Sequence, residues 1–324
     1  MSEFVADYDF VLPEDLIASR PLEERDASRM LVLHRRSGKI EHRRFRDLPD
    51  YLEPGDLAVL NNSRVIKARL FSDDHRCELL LVEPLGPLEW LCLVKPGRKM
   101  RPGFAFAIAG ATACVKAITS DGSRIVEFDH QPDIERFGKI PIPPYLGREA
   151  DDSDEIRYQT VFAQPPGSVA APTAGLHFTP ALLRRIPHTF ITLHVGIGTF
   201  LPVKVERLAN HRMHAERYSI NEEAARAINA ATRILAVGTT SGRVLESQPE
   251  GPIKARSSST DIFISSPFSF RRVGALMTNF HLPRSTLLML VCAFAGRETV
   301  LAAYREAIKE RYRFFSYGDS MLLI

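Results

Sequence analysis

Apolar runs of strand length alternate with helical patterns at the start of the chain and through its second half. Such alternation is typical of an α/β domain. The predicted strands span residues 30–34, 57–60, 190–195, 234–237 and 260–264. The predicted helices span residues 13–19, 221–233, 285–295 and 298–310. Polar and glycine-containing loops follow several of these strands, as in Gly238-Thr239-Thr240-Ser241.

Capping signals support two of these helices. Ser219 and Glu222 have the spacing of a capping box at the start of the second helix. Ser285 is suited to cap the third helix, and Gly296 to end it.

The middle of the chain has a different pattern, with short β-like runs separated by Gly, Pro and Asp. The runs span residues 78–82, 89–94, 104–108, 114–118 and 125–128. This spacing predicts a small antiparallel barrel or sandwich. Residues 131–154, rich in proline and acidic side chains, are interpreted as a linker. We therefore predict an α/β domain formed by residues 1–62 and 156–324, with a β-rich domain of residues 63–155 inserted into it.

The composition is that of a globular protein with little net charge. Of 324 residues, 45% are hydrophobic and 25% charged, and the net charge is +3. This balance excludes only a binder that is strongly basic over its whole surface. Local basic clusters offer a possible track for a nucleic-acid backbone. They comprise Arg43, Arg44 and Arg46; Arg98, Lys99 and Arg101; Arg184 and Arg185; Arg271 and Arg272; and Arg311 and Arg313.

The four cysteines predict a reduced protein without disulfides. Cys77, Cys92, Cys114 and Cys292 are isolated from one another and form no C-x-x-C pair. The acidic start lacks the basic and apolar regions of a signal peptide. The longest wholly apolar run, residues 287–295, is too short to span a bilayer. We expect a cytoplasmic protein, with a monomer as the default state.

Common nucleotide-binding and hydrolase motifs are missing from the sequence. It contains no P-loop, G-x-G-x-x-G, H-E-x-x-H or G-x-S-x-G pattern. Instead, small, hydroxyl and imidazole residues gather where predicted strands end. The segments are GSVAAPTAGLHFT (167–179), HVGIGTF (194–200), HRMHAERY (211–218), GTTSGR (238–243) and TNFHLP (278–283). Glycines allow close backbone approach, and imidazoles near neutral pKa suit acid–base chemistry.

Purely structural roles for these segments are the alternative to a functional site. The glycines are equally explained as turn residues, and each histidine as a structural residue bonded to backbone. His211 and His214 have i, i+3 spacing, which on one helical face would suit a metal site with a third histidine. No Cys or Asp completes a familiar metal pattern there, so we predict no metal.

The same segments, with others at both ends of the chain, are similar to the signature blocks of the S-adenosylmethionine:tRNA ribosyltransferase-isomerase family of queuosine biosynthesis. The similarity also includes LIASRPLEERDASRMLVL (16–33), VLNNSRVIKARL (59–70) and YRFFSYGDSMLLI (312–324). It runs over essentially the whole chain in the same order. Two departures concern local loops. Asn62 stands where an Asp is expected, and residues 264–268 replace an expected Pro-Gly turn.

This resemblance implies a specific reaction and fold. The ribosyl part of S-adenosylmethionine, a co-substrate, is transferred to 7-aminomethyl-7-deazaguanine at the wobble position of tRNA. It isomerises to an epoxycyclopentanediol, and adenine and methionine are released. No permanently bound cofactor and no protein partner are implied. The implied fold is an α/β domain with an inserted six-stranded β-barrel.

Fitted to that chemistry, the candidate residues fall into three groups. The candidates for the general base and the general acid of the reaction, in no order of preference, are His177, His194, His214, Glu216 and His281. Thr173, Gly175, Gly196, Thr199, Thr239 and Thr240 are assigned to the adenosyl group, Phe178, Phe200 or Tyr218 to the sulfonium, and Arg243 to the methionine carboxylate. Arg64, Asn279, Tyr317 and Asp319 are assigned to tRNA or substrate.

Three rival functions make different predictions. A non-catalytic RNA-binding protein would bind RNA without regard to S-adenosylmethionine. A methyltransferase would release S-adenosylhomocysteine, but the usual glycine-rich loop of such enzymes is not found. A nucleosidase would release adenine without tRNA.

Overall fold

The computed structural model, which describes residues 3–196, 198, 203 and 205–324, is built from strands and short helices. The strands are β1 (Arg29–Leu33), β2 (Ile40–Arg44), β3 (Asp56–Asn61), β4 (Arg64–Val65), β5 (Arg69–Phe71), β6 (Glu78–Pro84), β7 (Glu89–Lys95), β8 (Ala105–Ile108), β9 (Ala111–Ile118), β10 (Arg124–Phe128), β11 (Pro166–Ser168), β12 (His188–Leu193), β13 (Glu216–Ile220), β14 (Arg233–Val237), β15 (Arg256–Thr260), β16 (Val273–Asn279) and β17 (Ser320–Leu323). The α-helices are α1 (Ile134–Phe137), α2 (Asp152–Arg157), α3 (Pro180–Leu183), α4 (Glu222–Ala230), α5 (Gly238–Glu246), α6 (Thr286–Ala295) and α7 (Arg297–Lys309).

Nine strands form a mixed sheet in the order β15-β13-β12-β3-β14-β16-β17-β1-β2. Its middle strands β12, β3, β14 and β16 run parallel to one another. The two strands beyond β12 are antiparallel to their neighbours. Every residue of β3 is buried, as expected for a parallel strand covered on both faces.

Alternate residues along the strands of this sheet pack into two separate cores, one on each face of the sheet. Leu31 and Leu33 of β1 belong to the core that α4, α5, α6 and α7 cover. Met30 and Val32 belong to the other core, which contains residues of α3 and of the 3₁₀ helix Phe45–Tyr51. The period-two alternation of side chains along a strand produces this division. The result is a three-layer α/β arrangement.

A second sheet contains six antiparallel strands in the order β5-β6-β7-β10-β9-β8. The sheet curls, and an isolated antiparallel bridge between Ser72 and Ile108 joins its two edges. Leu79, Leu81 and Val115 are fully buried in its own core. The predicted change to β structure in the middle of the chain is confirmed.

Most predicted strands are confirmed, but several local predictions are wrong. Asn221 caps α4 through its side chain, which accepts from the Ala224 amide at 2.7 Å, whereas Ser219 lies in β13. Residues Gly238–Ser241 begin helix α5 and do not form a loop. Strand β15 ends at Thr260, where the prediction began it. The predicted linker contains two short helices, α1 and α2, and the region around Glu14 is a single 3₁₀ turn.

Helix α6 consists almost wholly of apolar residues, and the amphipathic helix α7 follows it directly. Within the described ranges, no single helix is long and apolar enough to cross a bilayer. As a pair, α6 and α7 reach that length and composition, but they are bent by 114° where they meet.

Candidate functional site

The parallel strands of the large sheet end along one edge, where most of the predicted site residues lie. β12 leads into His194, β14 into Gly238 at the start of α5, and β16 ends at Asn279. In α/β sheets, ligands bind at the carboxyl ends of such strands. The topology therefore brings together segments that are far apart in the sequence.

A small cavity of about 80 Å³ opens at this edge. It is lined by polar residues that the sequence predicted, namely Thr173, Thr239, Thr240, Asn279 and His281. Aromatic side chains that were not predicted complete the wall, and these are Tyr145, Tyr158, Phe280 and Phe315. A flat ring with polar edges matches this lining.

A much larger cavity of about 730 Å³ lies between the sheet edge and the curled sheet. His194, Gly196, His214, Glu216 and Arg243 line it from the large sheet. Val82, Glu83, Leu91, Leu93, Asp121 and Ser123 line it from the curled sheet. Its volume is in the range of cavities that bind small molecules. Val195 and Leu287 border both cavities, so the two are neighbours.

Glu216 and Arg243 form a buried ion pair on the wall of the large cavity. The other carboxylate oxygen of Glu216 accepts a hydrogen bond from the Gly196 amide at 3.0 Å. The guanidinium keeps its Nε and Nη1 groups without a partner among the described residues. Because a buried donor without a partner is costly, these N–H groups are suited to an anionic or hydroxyl-bearing ligand.

His194 follows β12 and lines the same cavity, half-buried. Burial lowers the pKa of its imidazole, and the nearby charge of Arg217 lowers it further. Its buried Nδ1 has no hydrogen-bond partner in the described part of the chain. The ring is therefore neutral at physiological pH.

Gly167 in β11 lies close against the ring of His194. Its φ is +137°, which favours glycine, and an added Cβ would lie 2.8 Å from Nδ1 of His194. We expect Gly167→Ala to lower the free energy of unfolding by about 1–3 kcal/mol through the strained backbone, with an added loss from this contact. Denaturant unfolding measures the loss, and NMR of the imidazole reports the moved ring.

Gly251→Ala is the matched control for this prediction. Gly251 also has a positive φ, of +84°, but an added Cβ would meet nothing within 4 Å. It therefore tests the backbone penalty alone. Equal losses from the two variants would show that the contact with His194 has no consequence.

His177 lies behind the small cavity, with both ring nitrogens engaged. Its Nδ1 is 2.8 Å from the Ser28 hydroxyl and its Nε2 is 3.3 Å from Oδ1 of Asn279. The Asn279 amide nitrogen donates to the Phe315 carbonyl at 2.9 Å, which fixes the amide orientation. Nε2 therefore carries the proton and donates, and Nδ1 accepts. Burial lowers the pKa of His177 to about 4, so the ring is neutral.

His281 is buried against the small cavity. Its Nε2 is 2.7 Å from the Thr278 hydroxyl, and its amide donates to the Tyr304 hydroxyl at 3.0 Å. Burial lowers the pKa of its imidazole to about 3. The side chain is thus a hydrogen-bonding group of the wall and not an imidazolium at neutral pH.

His211 and His214 do not share a helical face, because residues 211–215 form no helix. His214 is exposed at the rim of the large cavity, and His211 packs edge-on against Phe263 with its ring centroid 5.0 Å away. Over residues 3–196, 198, 203 and 205–324, no group of three or more His, Cys, Asp or Glu residues could hold a metal ion.

Besides His177, six of the predicted site residues that the structure describes line neither cavity, and one of them, Tyr218, is buried in the core that α4 to α7 cover. Phe178 is fully buried in a core, packed on Phe45 with ring centroids 4.9 Å apart, so it faces no ligand. Gly175 is buried, and an added Cβ would lie 2.8 Å from Thr160. The others are Tyr317, Asp319 and Arg64.

These last three have other surroundings. Tyr317 donates to the buried Asp154 carboxylate at 2.7 Å and borders a separate cavity of about 20 Å³ with His177. Asp319 accepts from the Arg29 and Arg313 amides at 2.8 Å, which anchors the start of β17. Arg64 is exposed in β4. Thr199 and Phe200 lie outside the described residues.

Sequence reasoning missed the wall that the curled sheet contributes. Glu83, Leu91 and Leu93 sit in ordinary alternating strand patterns, which carry no sign of a ligand. It also gave no role to Thr278, which bonds to His281, and missed Ser28, which bonds to His177. Only the folded arrangement brings these residues to the site.

Comparison with known proteins shows the family of the chain. The family profile described as queuosine biosynthesis protein matches residues 5–323. Proteins named S-adenosylmethionine:tRNA ribosyltransferase-isomerase from Heliobacterium modesticaldum and Thermotoga maritima are 50% and 49% identical, each alignment covering 99% of both chains. The crystal structure of S-adenosylmethionine tRNA ribosyltransferase from Thermotoga maritima matches with a TM-score of 0.56 and 41% identity, covering 98% of this chain and 100% of that one. The chain therefore belongs to the queuosine biosynthesis protein family.

Proposed function

We propose that this chain is an S-adenosylmethionine:tRNA ribosyltransferase-isomerase. It transfers the ribosyl group of S-adenosylmethionine to 7-aminomethyl-7-deazaguanine in the tRNA anticodon and isomerises it to the epoxycyclopentanediol of epoxyqueuosine. Adenine and methionine leave. The observation that carries this proposal is the pair of adjoining cavities at the carboxyl edge of the sheet, where His194, Glu216 and Arg243 converge. Family membership and full-length relatives of that name support it.

In this proposal, S-adenosylmethionine lies across the boundary between the two cavities. The adenine ring enters the smaller one, because Tyr145, Tyr158 and Phe280 provide flat apolar walls there. The hydroxyls of Thr239 and Thr240 and the neutral ring of His281 supply hydrogen-bonding partners for the edge of the ring. The sugar and the methionine part extend past Val195 and Leu287 into the larger cavity.

Arg243 binds the methionine carboxylate through its unpartnered N–H groups. A carboxylate accepts from a guanidinium in a charge-assisted, often bidentate arrangement. Glu216 positions Arg243 from the other side and also fixes the Gly196 amide. The role of Glu216 is thus positioning, and its carboxylate is not free to take a proton from substrate.

His194 is the general base of the proposed reaction. The sulfonium acidifies the protons on the adjacent C5′ carbon, and a neutral imidazole can remove one of them. The lowered pKa of His194 keeps the ring unprotonated at physiological pH. His214 at the rim is the remaining titratable candidate for a second proton transfer. His177 is a positioning residue, since both its nitrogens serve Ser28 and Asn279.

The tRNA approaches along exposed basic residues near the large cavity. Arg212 and Arg217 are exposed on its rim and make no ion pair with any residue in the described ranges. The clusters around Arg98 and Arg184 are likewise exposed and unpaired there, whereas Arg43, Arg46 and Arg311 pair with carboxylates. Unpaired cations are better suited to hold phosphates.

In this proposal, the chain is divided into the two domains that the sequence predicts. Residues 63–155 supply the curled sheet as an inserted barrel, and residues 1–62 and 156–324 supply the large sheet. The separate cores of the two sheets support this division. The expectations of a cytoplasmic monomer without a permanent cofactor stay predictions.

Incubation with S-adenosylmethionine and tRNA bearing the aminomethyl-deazaguanine tests the function, with mass analysis of small molecules and nucleosides. We expect adenine, methionine and epoxyqueuosine to appear together and only when tRNA is present. S-adenosylhomocysteine as the product would indicate a methyltransferase, and adenine without tRNA a nucleosidase. RNA binding without any turnover would indicate a binding module.

A further inference from the structure

The wall that the curled sheet contributes to the large cavity carries a carboxylate without a partner. Glu83 is half-buried, and none of the described residues donates a hydrogen bond to its carboxylate or forms an ion pair with it. On the same wall, Val82, Leu91 and Leu93 are apolar, whereas Asp121 accepts a hydrogen bond from the Ser123 hydroxyl at 3.0 Å. The carboxylate of Glu83 therefore lacks a hydrogen-bond donor, and a ligand bound in the cavity can supply one.

A β-bulge places Glu83 on this wall. The pairing of β6 with β7 shifts between Leu81 and Glu83, so that Leu81 pairs with Cys92 and Glu83 with Leu91. Val82 is the extra residue. Bulges redirect side chains and occur next to active sites. Here the bulge lets the consecutive residues Val82 and Glu83 both line the cavity.

The opposite wall carries the groups assigned above to S-adenosylmethionine, among them His194 and Arg243. The second reactant therefore lies between that wall and the curled sheet. In a guanine-type base, N1–H and the 2-amino group form two neighbouring donors, which match the two oxygens of a carboxylate. The aminomethyl arm leaves the ring system on the other side. A base held by this donor edge at Glu83 thus directs its amine towards the ribosyl donor.

We infer that Glu83 is the specificity-determining residue that binds the N1–H and 2-amino edge of the deazaguanine, with Val82, Leu91 and Leu93 packing against the base plane. The inference rests on the proposed function and names how the same site selects its base. Binding of Glu83 to the aminomethyl group instead is less suited to the reaction. A carboxylate beside that amine would favour its protonated form, which is not a nucleophile. Loss of a bidentate pair of this kind costs roughly 10- to 100-fold in specificity.

The test compares two tRNA substrates that differ only in the 2-amino group of the modified base. For the unaltered enzyme, we expect kcat/KM to fall roughly 10- to 100-fold when that group is removed. Glu83→Gln should lose a similar factor with the complete base, mainly through KM for tRNA, and lose little more when the amino group is removed. KM for S-adenosylmethionine should stay unchanged in this variant.

Glu127→Gln is the matched control. Glu127 lies in β10 of the same sheet, exposed and paired with Lys116 at 2.8 Å. It should behave as the unaltered enzyme with both substrates. The inference would be overturned if removal of the amino group lowered kcat/KM by the same factor in the unaltered enzyme and in Glu83→Gln. Full activity of Glu83→Gln with the complete base would overturn it as well. No turnover by the unaltered enzyme would instead contradict the proposed function.

Discussion

Replacing His194 with glutamine is expected to lower kcat by about 10²- to 10⁴-fold, the usual contribution of a positioned general base. Glutamine keeps a polar side chain of similar reach but cannot accept a proton in this pH range. Affinity for S-adenosylmethionine should change little, because Arg243 and the small cavity hold the ligand. Single-turnover release of adenine in the presence of tRNA measures the effect.

The pH profile gives this prediction a second readout. The pKa of His194 is lowered by burial, so the base stays active as pH falls and is lost only below its usual value of 6.5. The acid limb of kcat should therefore lie below pH 6.5 and disappear in the His194→Gln variant.

His188→Gln provides the control. His188 begins the same strand at the opposite edge of the sheet, where its Nδ1 is 3.0 Å from the Ile186 carbonyl. This variant should retain kcat and the acid limb. A His194→Gln enzyme with kcat within twofold of the original would remove His194 from the reaction.

Replacing Arg243 with alanine is expected to lower the free energy of unfolding by about 3–5 kcal/mol, because Glu216 is then left buried and unpaired. The same variant should raise KM for S-adenosylmethionine by 10-fold or more, since the carboxylate loses its charge-assisted partner. Urea unfolding and steady-state kinetics measure the two effects separately.

The double variant Arg243→Met and Glu216→Gln separates stability from binding. Replacing both partners of a buried ion pair is far less destabilising than removing one. Stability should therefore recover in large part while KM for S-adenosylmethionine stays high. Recovery of both properties would contradict the assignment of Arg243 to the methionine carboxylate.

The buried strands of the fold were predictable because a strand that is buried on both faces consists of consecutive apolar residues. Residues 57–60 form an unbroken apolar run, and the structure places them in the fully buried β3. β15 was misplaced because Arg256–Thr260 is polar and forms a strand only through its pairing with β13 at the sheet edge. Propensity carries no information on such tertiary pairing.

The segments that meet at the candidate site were predictable, but the surroundings of their side chains were not. His177 and His194 have similar sequence surroundings, with glycines and hydroxyl residues nearby. They differ in their partners, since both nitrogens of His177 are engaged whereas Nδ1 of His194 is not. The pairing of Glu216 with Arg243 joins β13 to α5, and no spacing rule connects the two.

The order of strands in the large sheet also determines when the edge that carries the proposed site can form during synthesis. β3 ends at Asn61, but its neighbours in the sheet begin only at His188 and Arg233. The curled sheet pairs strands that are close in sequence, so it can form on a nascent chain long before that. A ribosome-bound chain that stops short of Arg233 thus has one wall of the large cavity and lacks the edge that would hold S-adenosylmethionine.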